Sequence, residues 1–178
     1  MRLEQRNFLG EATLSGRTLY GHAALWNSPA KIDGFTEVIR HGAFTDSLQT
    51  RDVLCLVDHK MDSLLARTGS GTLRLEEDRE GLFYELSVPD TQLGHDVIEL
   101  CKRGDLGGMS FGFLIPEGGE IWIGERRELV KVDLFEISIV SAWPAYEGTT
   151  VNVRGLKEPQ KTPSITMAMR WLETCRGF

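Results

Sequence analysis

Short runs of alternating apolar and polar residues, most of them closed by glycine, asparagine or aspartate, recur from residue 17 to residue 153 and constrain this chain more than any other feature. Neighbouring side chains of an extended segment point to opposite faces, so such runs read as half-buried strands. Residues 17–25 (RTLYGHAAL) and 36–40 (TEVIR) are of this kind, each next to turn chemistry such as Asn27-Ser28-Pro29 or Asp33-Gly34. Residues 42–50 (GAFTDSLQT) read as a short helix, and the continuous apolar run 53–57 (VLCLV) as a buried strand. Residues 72–77 and 82–88 form a hairpin around Asp78-Arg79-Glu80-Gly81. The period then changes: Leu93, Val97, Ile98, Leu100 and Cys101 fall near helical spacing between Asp90 and Arg103. Asp90 or Thr91 can cap the start of that helix and Gly104 its end. Strands resume at 109–115, 120–123, 127–132 and 134–141, with a last one at 150–153. Residues 1–153 therefore read as one folded unit. Residues 154–178, punctuated by lysine and proline, read as a linker and tail.

Many short strands with one good helix predict a mainly β fold with helices (α+β). A closed or nearly closed antiparallel β-barrel is favoured over a sandwich because closure removes exposed edges. At 178 residues the chain suits a single core. Its net charge of -6, with both signs interspersed, lacks the basic face of a nucleic-acid binder. Three cysteines (Cys55, Cys101 and Cys175) form no disulfide framework, and the first two read as buried thiols in a reducing compartment. The N-terminus has no apolar core of signal-peptide type, and no segment approaches the roughly 20 apolar residues that span a bilayer. No nucleic-acid or membrane partner is expected.

Three residues stand out for chemistry. In Gly107-Gly108-Met109-Ser110-Phe111-Gly112-Phe113, alternation sends the apolar side chains to one face and Ser110 with Gly112 to the other. A hydroxyl beside a residue without a side chain leaves room for another backbone, as a protease needs. The same pattern also fits an ordinary serine after a Gly-Gly turn. His59 ends the run Val53–Val57, where an imidazole can meet a hydroxyl of a neighbouring strand. A surface histidine among charged neighbours fits equally. Strict alternation in Leu134-Phe135-Glu136-Ile137-Ser138-Ile139-Val140 places Glu136 on a face with Leu134, Ser138 and Val140, inside a strand apolar on both sides. A carboxylate there needs a partner, either an imidazole N–H or a structural Arg or Lys. His22, His41 and His95 have weaker settings. A zinc site from Cys55, His59, His95 and Cys101 is disfavoured, since positions four apart on a strand are about 13 Å apart. With no phosphate-cradling loop either, neither metal nor cofactor is expected, and the missing G-x-S-x-G elbow argues against an α/β-hydrolase.

The segments Gly21-His22-Ala23-Ala24-Leu25-Trp26-Asn27, Glu37-Val38-Ile39-Arg40-His41-Gly42-Ala43-Phe44, Leu56-Val57-Asp58-His59, 107–113, Leu134-Phe135-Glu136-Ile137-Ser138 and Trp143-Pro144-Ala145-Tyr146 occur in this order. Together they resemble the prohead (capsid maturation) proteases of tailed phages with the HK97 type of capsid. That family is similar in fold to the herpesvirus assembly proteases (assemblins), which pair a serine with histidines on a β-barrel. The resemblance implies a serine endopeptidase with Ser110 as nucleophile, His59 as general base and Glu136 as third member; Asp58 and Asp133 are the substitutes for Glu136. It implies backbone oxyanion donors in Ser141-Ala142-Trp143. Its implied substrates are the capsid protein with its scaffold segment, and the protease itself, inside the procapsid in the cytoplasm of a bacterial host. A homo-oligomer stays open, and the tail becomes a candidate for self-cleavage. The competing readings are a non-catalytic capsid-assembly scaffold or chaperone module and an element that cleaves only itself.

Overall fold

Alternation and turn chemistry translate into thirteen strands among the described residues, which in this computed structural model are 3–8, 12–32, 34–106 and 108–141. In chain order they begin β1 (Glu4–Phe8), β2 (Thr13–Ser15), β3 (Thr18–Leu25), β4 (Ala30–Ile32), β5 (Phe35–Ile39) and helix α1 (Thr45–Thr50). Next come β6 (Leu54–Val57), β7 (Lys60–Arg67), a 3-10 turn at Thr68–Ser70, β8 (Leu73–Glu77), β9 (Gly81–Ser87) and helix α2 (Gln92–Arg103). The described part closes with β10 (Gly108–Leu114), β11 (Glu120–Ile123), β12 (Arg126–Leu129) and β13 (Asp133–Val140). The expected strand at 150–153 and the tail from Arg154 lie outside the described residues.

These strands make three sheets, in the orders β1-β10-β13-β6-β7, β11-β12-β5-β4 and β2-β3-β9-β8. The mainly β, α+β architecture is as expected. No sheet closes on itself through strand pairing among the described residues, so a closed barrel remains an expectation. Pairing is not antiparallel throughout, for β13 runs parallel to β6 and β12 parallel to β5. Parallel neighbours need long connections, and both pairs join segments far apart in the chain. One core lies between the sheets, built from residues such as Leu19, Phe44, Leu82, Leu86, Met109, Phe111, Phe113 and Ile137.

Helix α2 matches its sequence signals closely. The Thr91 side chain accepts from the Gly94 N–H at 3.2 Å, and Gly104, in the left-handed region at φ 77°, closes the helix on Leu100 and Cys101 carbonyls. Its buried face is Val97, Ile98 and Cys101. Helix α1 starts three residues later than expected, because Gly42 at φ 89° turns the chain first. Buried Ser47 then ties the helix to the start of β13: its hydroxyl donates to the Val132 carbonyl at 2.7 Å and accepts from the Leu134 N–H at 2.8 Å.

The β3–β9 pairing brings Gly81 against Leu25, and a Cβ on Gly81 would lie 1.9 Å from the Ala24 carbonyl oxygen. Backbone cannot yield there as a side chain could. Gly81→Ala is therefore expected to destabilise the fold by about 2–3 kcal/mol. Calorimetry should show this as a fall in Tm of roughly 5–10 °C; an unchanged Tm would mean that β3 shifts at no cost.

Candidate active site

The site forms on the face of the five-stranded sheet turned away from the core. On β10, Met109, Phe111 and Phe113 enter the core, which leaves Ser110 and Gly112 on the opposite face. β13, the central strand, pairs with β10 so that Ser110 opposes Ser138 and Gly112 opposes Glu136. Residues directly opposed across an antiparallel pair share a face. All four positions therefore look the same way. The register shifts beside Gly112/Phe113, where Phe113 pairs with Leu134 and Phe135 is skipped. This bulge corrects one expectation: Leu134 joins Ile137 and Ile139 in the core rather than sharing the face of Glu136.

His59 comes from the turn between β6 and β7. Val57 pairs with Lys60, so the loop is the two residues Asp58-His59, with φ of 49° and 58°. Both lie in the left-handed region of a type I′ hairpin turn, where asparagine and glycine are the usual occupants. Two non-glycine residues here cost roughly 1–2 kcal/mol each, so the surroundings must hold the turn. They do so from β13. The Asp58 N–H donates to the Ile139 carbonyl at 3.0 Å, and its carboxylate accepts from the Ser141 N–H and hydroxyl at 3.0 and 3.1 Å. The His59 N–H donates to the Ser138 hydroxyl at 3.2 Å.

The pinned turn brings the imidazole onto Glu136, with Nδ1 2.8 Å from Oε1. A carboxylate can only accept, so Nδ1 carries a proton, and Nε2 is the ring nitrogen that could accept one. The second oxygen, Oε2, accepts from the Ser138 hydroxyl at 2.5 Å. The Glu136 side chain is 8% exposed and that of His59 is 19% exposed, so the carboxylate is sheltered while the imidazole reaches the surface. Of the two partners left open for Glu136, the imidazole is the one present; among the described residues no Arg or Lys forms a salt bridge with it. Asp58 is engaged with Ser141, and Asp133 pairs with Arg51 at 2.9 Å. Among the described residues neither carboxylate hydrogen-bonds the His59 ring. The other histidines are elsewhere: His22 lies on Asp78, His95 on Asp90, and His41 packs edge-on to Trp26.

Ser110 is fully buried, and its hydroxyl donates to the Arg6 carbonyl of β1 at 2.9 Å. In this state the serine proton points to β1 rather than to His59. β1 is not legible in the sequence, since E-Q-R-N-F shows almost no apolar alternation. What holds β1 is charge. Arg6 bonds Glu37 at 2.6 and 3.0 Å, and Arg127 bonds Glu4 at 2.9 and 3.0 Å and Glu37 at 3.1 Å. Burial opposes the charge on Arg6, but Glu37 and Glu4 outweigh it and raise the guanidinium above its ordinary pKa. Strand β7 is not legible either, its pairing with β6 being irregular. Ala142 and Trp143 of the expected oxyanion loop lie outside the described residues.

The thiols offer no competing nucleophile in the core. Burial pushes Cys101 up to about 11, and burial followed by the charge of Glu136 pushes Cys55 up further. Both are free and buried.

Glycine at 112 is required by the carboxylate across from it. A Cβ there would lie 2.3 Å from Glu136 Oε1, the oxygen that holds His59. With Glu136 as the candidate orienting acid, Gly112→Ala is expected to displace the carboxylate and lower turnover by about 10²-fold, since small misplacement of such a group has effects of that order. Steady-state kinetics on folded variant would show it, and activity within a factor of three of wild type would mean that Glu136 tolerates the shift.

A mainly β chain whose sheet presents a serine, an imidazole–carboxylate pair and a facing glycine has the makings of a serine hydrolase. Its fold is shared with the bacteriophage T4 capsid assembly protease gp21, with a TM-score of 0.54 at 7% identity, covering 78% of this chain and 97% of that one. The family model for the caudovirus prohead serine protease matches residues 5–162, and the chain belongs to that family. No curated protein matches it. Membership makes it a serine protease of phage capsid maturation, in keeping with the resemblance of its ordered motifs.

Proposed function

We propose that this chain is an endopeptidase in which Ser110 attacks, His59 serves as general base and then general acid, and Glu136 orients and stabilises the imidazole. The observation that carries this reading is the 2.8 Å contact of His59 Nδ1 with Glu136 on the sheet face that also bears Ser110. For attack, the serine hydroxyl rotates about χ1 from the Arg6 carbonyl towards His59 Nε2. Hydrogen bonds of this type tighten on substrate binding. Ser110 Oγ then adds to the scissile carbonyl carbon as its proton passes to Nε2. The tetrahedral intermediate collapses, the C–N bond breaks, and the imidazolium returns the proton to the leaving amine. Water, deprotonated by the same Nε2, cleaves the acyl-enzyme and restores the serine. Glu136 stays ionised and stabilises the imidazolium throughout. Ser141-Ala142-Trp143 supplies oxyanion donors in this scheme.

The substrates in this reading are the scaffold segment of the capsid protein and the protease itself, cut inside the procapsid in the host cytoplasm. Residues 1–153 form the protease domain, on the barrel of herpesvirus-protease type. Residues 154–178 form a tail removed by self-cleavage. Incubating the full chain with assembled, unprocessed shells and following both proteins by mass spectrometry tests this. Loss of the capsid extension and of the tail, absent with Ser110→Ala, is the expected result. Shells that stay intact with active protease would overturn the substrate assignment.

A further inference from the structure

We infer that Ser138 is a positioning residue for the reaction, locking Glu136 and the backbone of His59 in a single geometry; this rests on the Ser110–His59–Glu136 reading. Ser138 is fully buried on the site face, directly across from Ser110. Its hydroxyl makes two bonds of opposite sense. It donates to Glu136 Oε2 at 2.5 Å and accepts from the His59 N–H at 3.2 Å. A hydroxyl has one proton and two lone pairs, so the two bonds are compatible and each fixes the direction of the other.

The consequence for Glu136 is geometric. With Oε1 on His59 Nδ1 and Oε2 on Ser138, both oxygens are held and the carboxylate plane cannot rotate. Gly112 closes the remaining side by close approach. Held by the imidazole alone, the carboxylate would swing about its terminal torsion, which is broad and soft. The consequence for His59 concerns the backbone. Its left-handed conformation at φ 58° persists only where neighbours over-determine it, and the bond to Ser138 is one of those constraints. One side chain therefore sets both partners of the base. Outer residues that hold a catalytic group in its productive geometry in this way commonly lower activity when replaced.

The same bonds set Ser138 apart from a nucleophile. Its proton lies on the carboxylate, and its contact with His59 is through the main-chain N–H rather than the ring. The imidazole nitrogen that could accept a serine proton is Nε2, and Ser138 does not engage it. Ser110 has no such tie to the acid; its proton lies on a main-chain carbonyl from which rotation frees it.

The test uses the full chain and a fluorophosphonate probe, with the inactivation rate constant and the probe's apparent binding constant measured separately. S138A is expected to lower the rate constant about ten-fold, the loss of one hydrogen bond to a charged group, with binding within two-fold of wild type. S138T keeps the hydroxyl and should recover the rate to within about three-fold of wild type. Near-UV circular dichroism establishes that each variant is folded. A folded S138A that labels as fast as wild type, or a folded S138T as slow as S138A, overturns the positioning role. Should S138A lose its native spectrum, S138T decides: near wild-type labelling supports the role and a loss beyond ten-fold in a folded protein overturns it. Mapping the labelled serine separates this inference from the reading beneath it. Label on Ser110 with S138A unaffected refutes only the positioning role, whereas label on Ser138, or label that survives Ser110→Ala, refutes the assignment of the nucleophile.

Discussion

Ser110→Ala is expected to lower peptide-bond cleavage by about 10⁴-fold or more while leaving the protein folded. In the proposed scheme Ser110 has no substitute on its own face among the described residues: Ser138 is committed to Glu136, and both core thiols are buried and held protonated. The structural cost is small by comparison. The lost group is one hydroxyl bonded to the Arg6 carbonyl, and removing it costs about 1–3 kcal/mol, most of it for the carbonyl left without that partner. β1 keeps its ladder to β10 and its ion pairs through Glu4 and Arg6. Hydrolysis of a peptide spanning the capsid-protein cleavage site, followed beside thermal unfolding, separates the two effects. Residual cleavage above one per cent of wild type in a folded variant would place the nucleophile elsewhere.

Glu136→Gln should be nearly as damaging, by up to about 10⁴-fold, through the tautomer it selects. Two donors converge on this side chain, the His59 Nδ1–H on Oε1 and the Ser138 hydroxyl on Oε2. A carboxylate accepts both. An amide has one oxygen and one NH₂, and when the NH₂ is turned to the imidazole one donor meets another, whereas the Ser138 hydroxyl can equally accept. The imidazole relieves the clash by moving its proton to Nε2, the atom that must accept from Ser110. The shape is preserved, the base is lost, and the negative charge that stabilises the imidazolium is gone. The turnover number under saturating substrate is the measurement. A loss below ten-fold would show that Glu136 neither sets the tautomer nor stabilises charge, and would return the third position to an open question. Paired with Gly112→Ala, this variant distinguishes removal of the charge from its displacement.

The strands that were legible in the sequence are those with strong alternation and clear turns. β3, β5, β8, β9, β10 and β13 fall within a residue or two of their expected limits, and α2 ends on the glycine its pattern indicated. Four strands were not legible, and two of them, β2 and β4, have three residues each, too few to show a period. β1 is polar and is held by ion pairs with residues as far away as Arg127, and β7 is bulged against its only partner. Local periodicity carries no trace of β1, because its contacts are remote in sequence, and the register shifts against β6 break the alternation of β7.

The site divides along the same line. Residue order and the two-residue period determined that Ser110 shares a face with Gly112, that Glu136 sits in a strand apolar on both sides, and that His59 ends a buried run. These are local properties of an extended chain. Tertiary structure alone decided the rest. The parallel pairing of β13 with β6 sets Val57 beside Ile139, and the turn that follows carries His59 back onto Ser138 and Glu136. The bulge at Phe135 sends Leu134 inward while Glu136 keeps its face. A left-handed Asp58-His59 turn, pinned from β13, aims the imidazole. Each is a long-range constraint, in which neighbours far along the chain impose a conformation that the residues themselves do not prefer. Ser110 and His59, each ordinary when taken alone, become a candidate pair because β13 presents Glu136 to one and lies in register with the other.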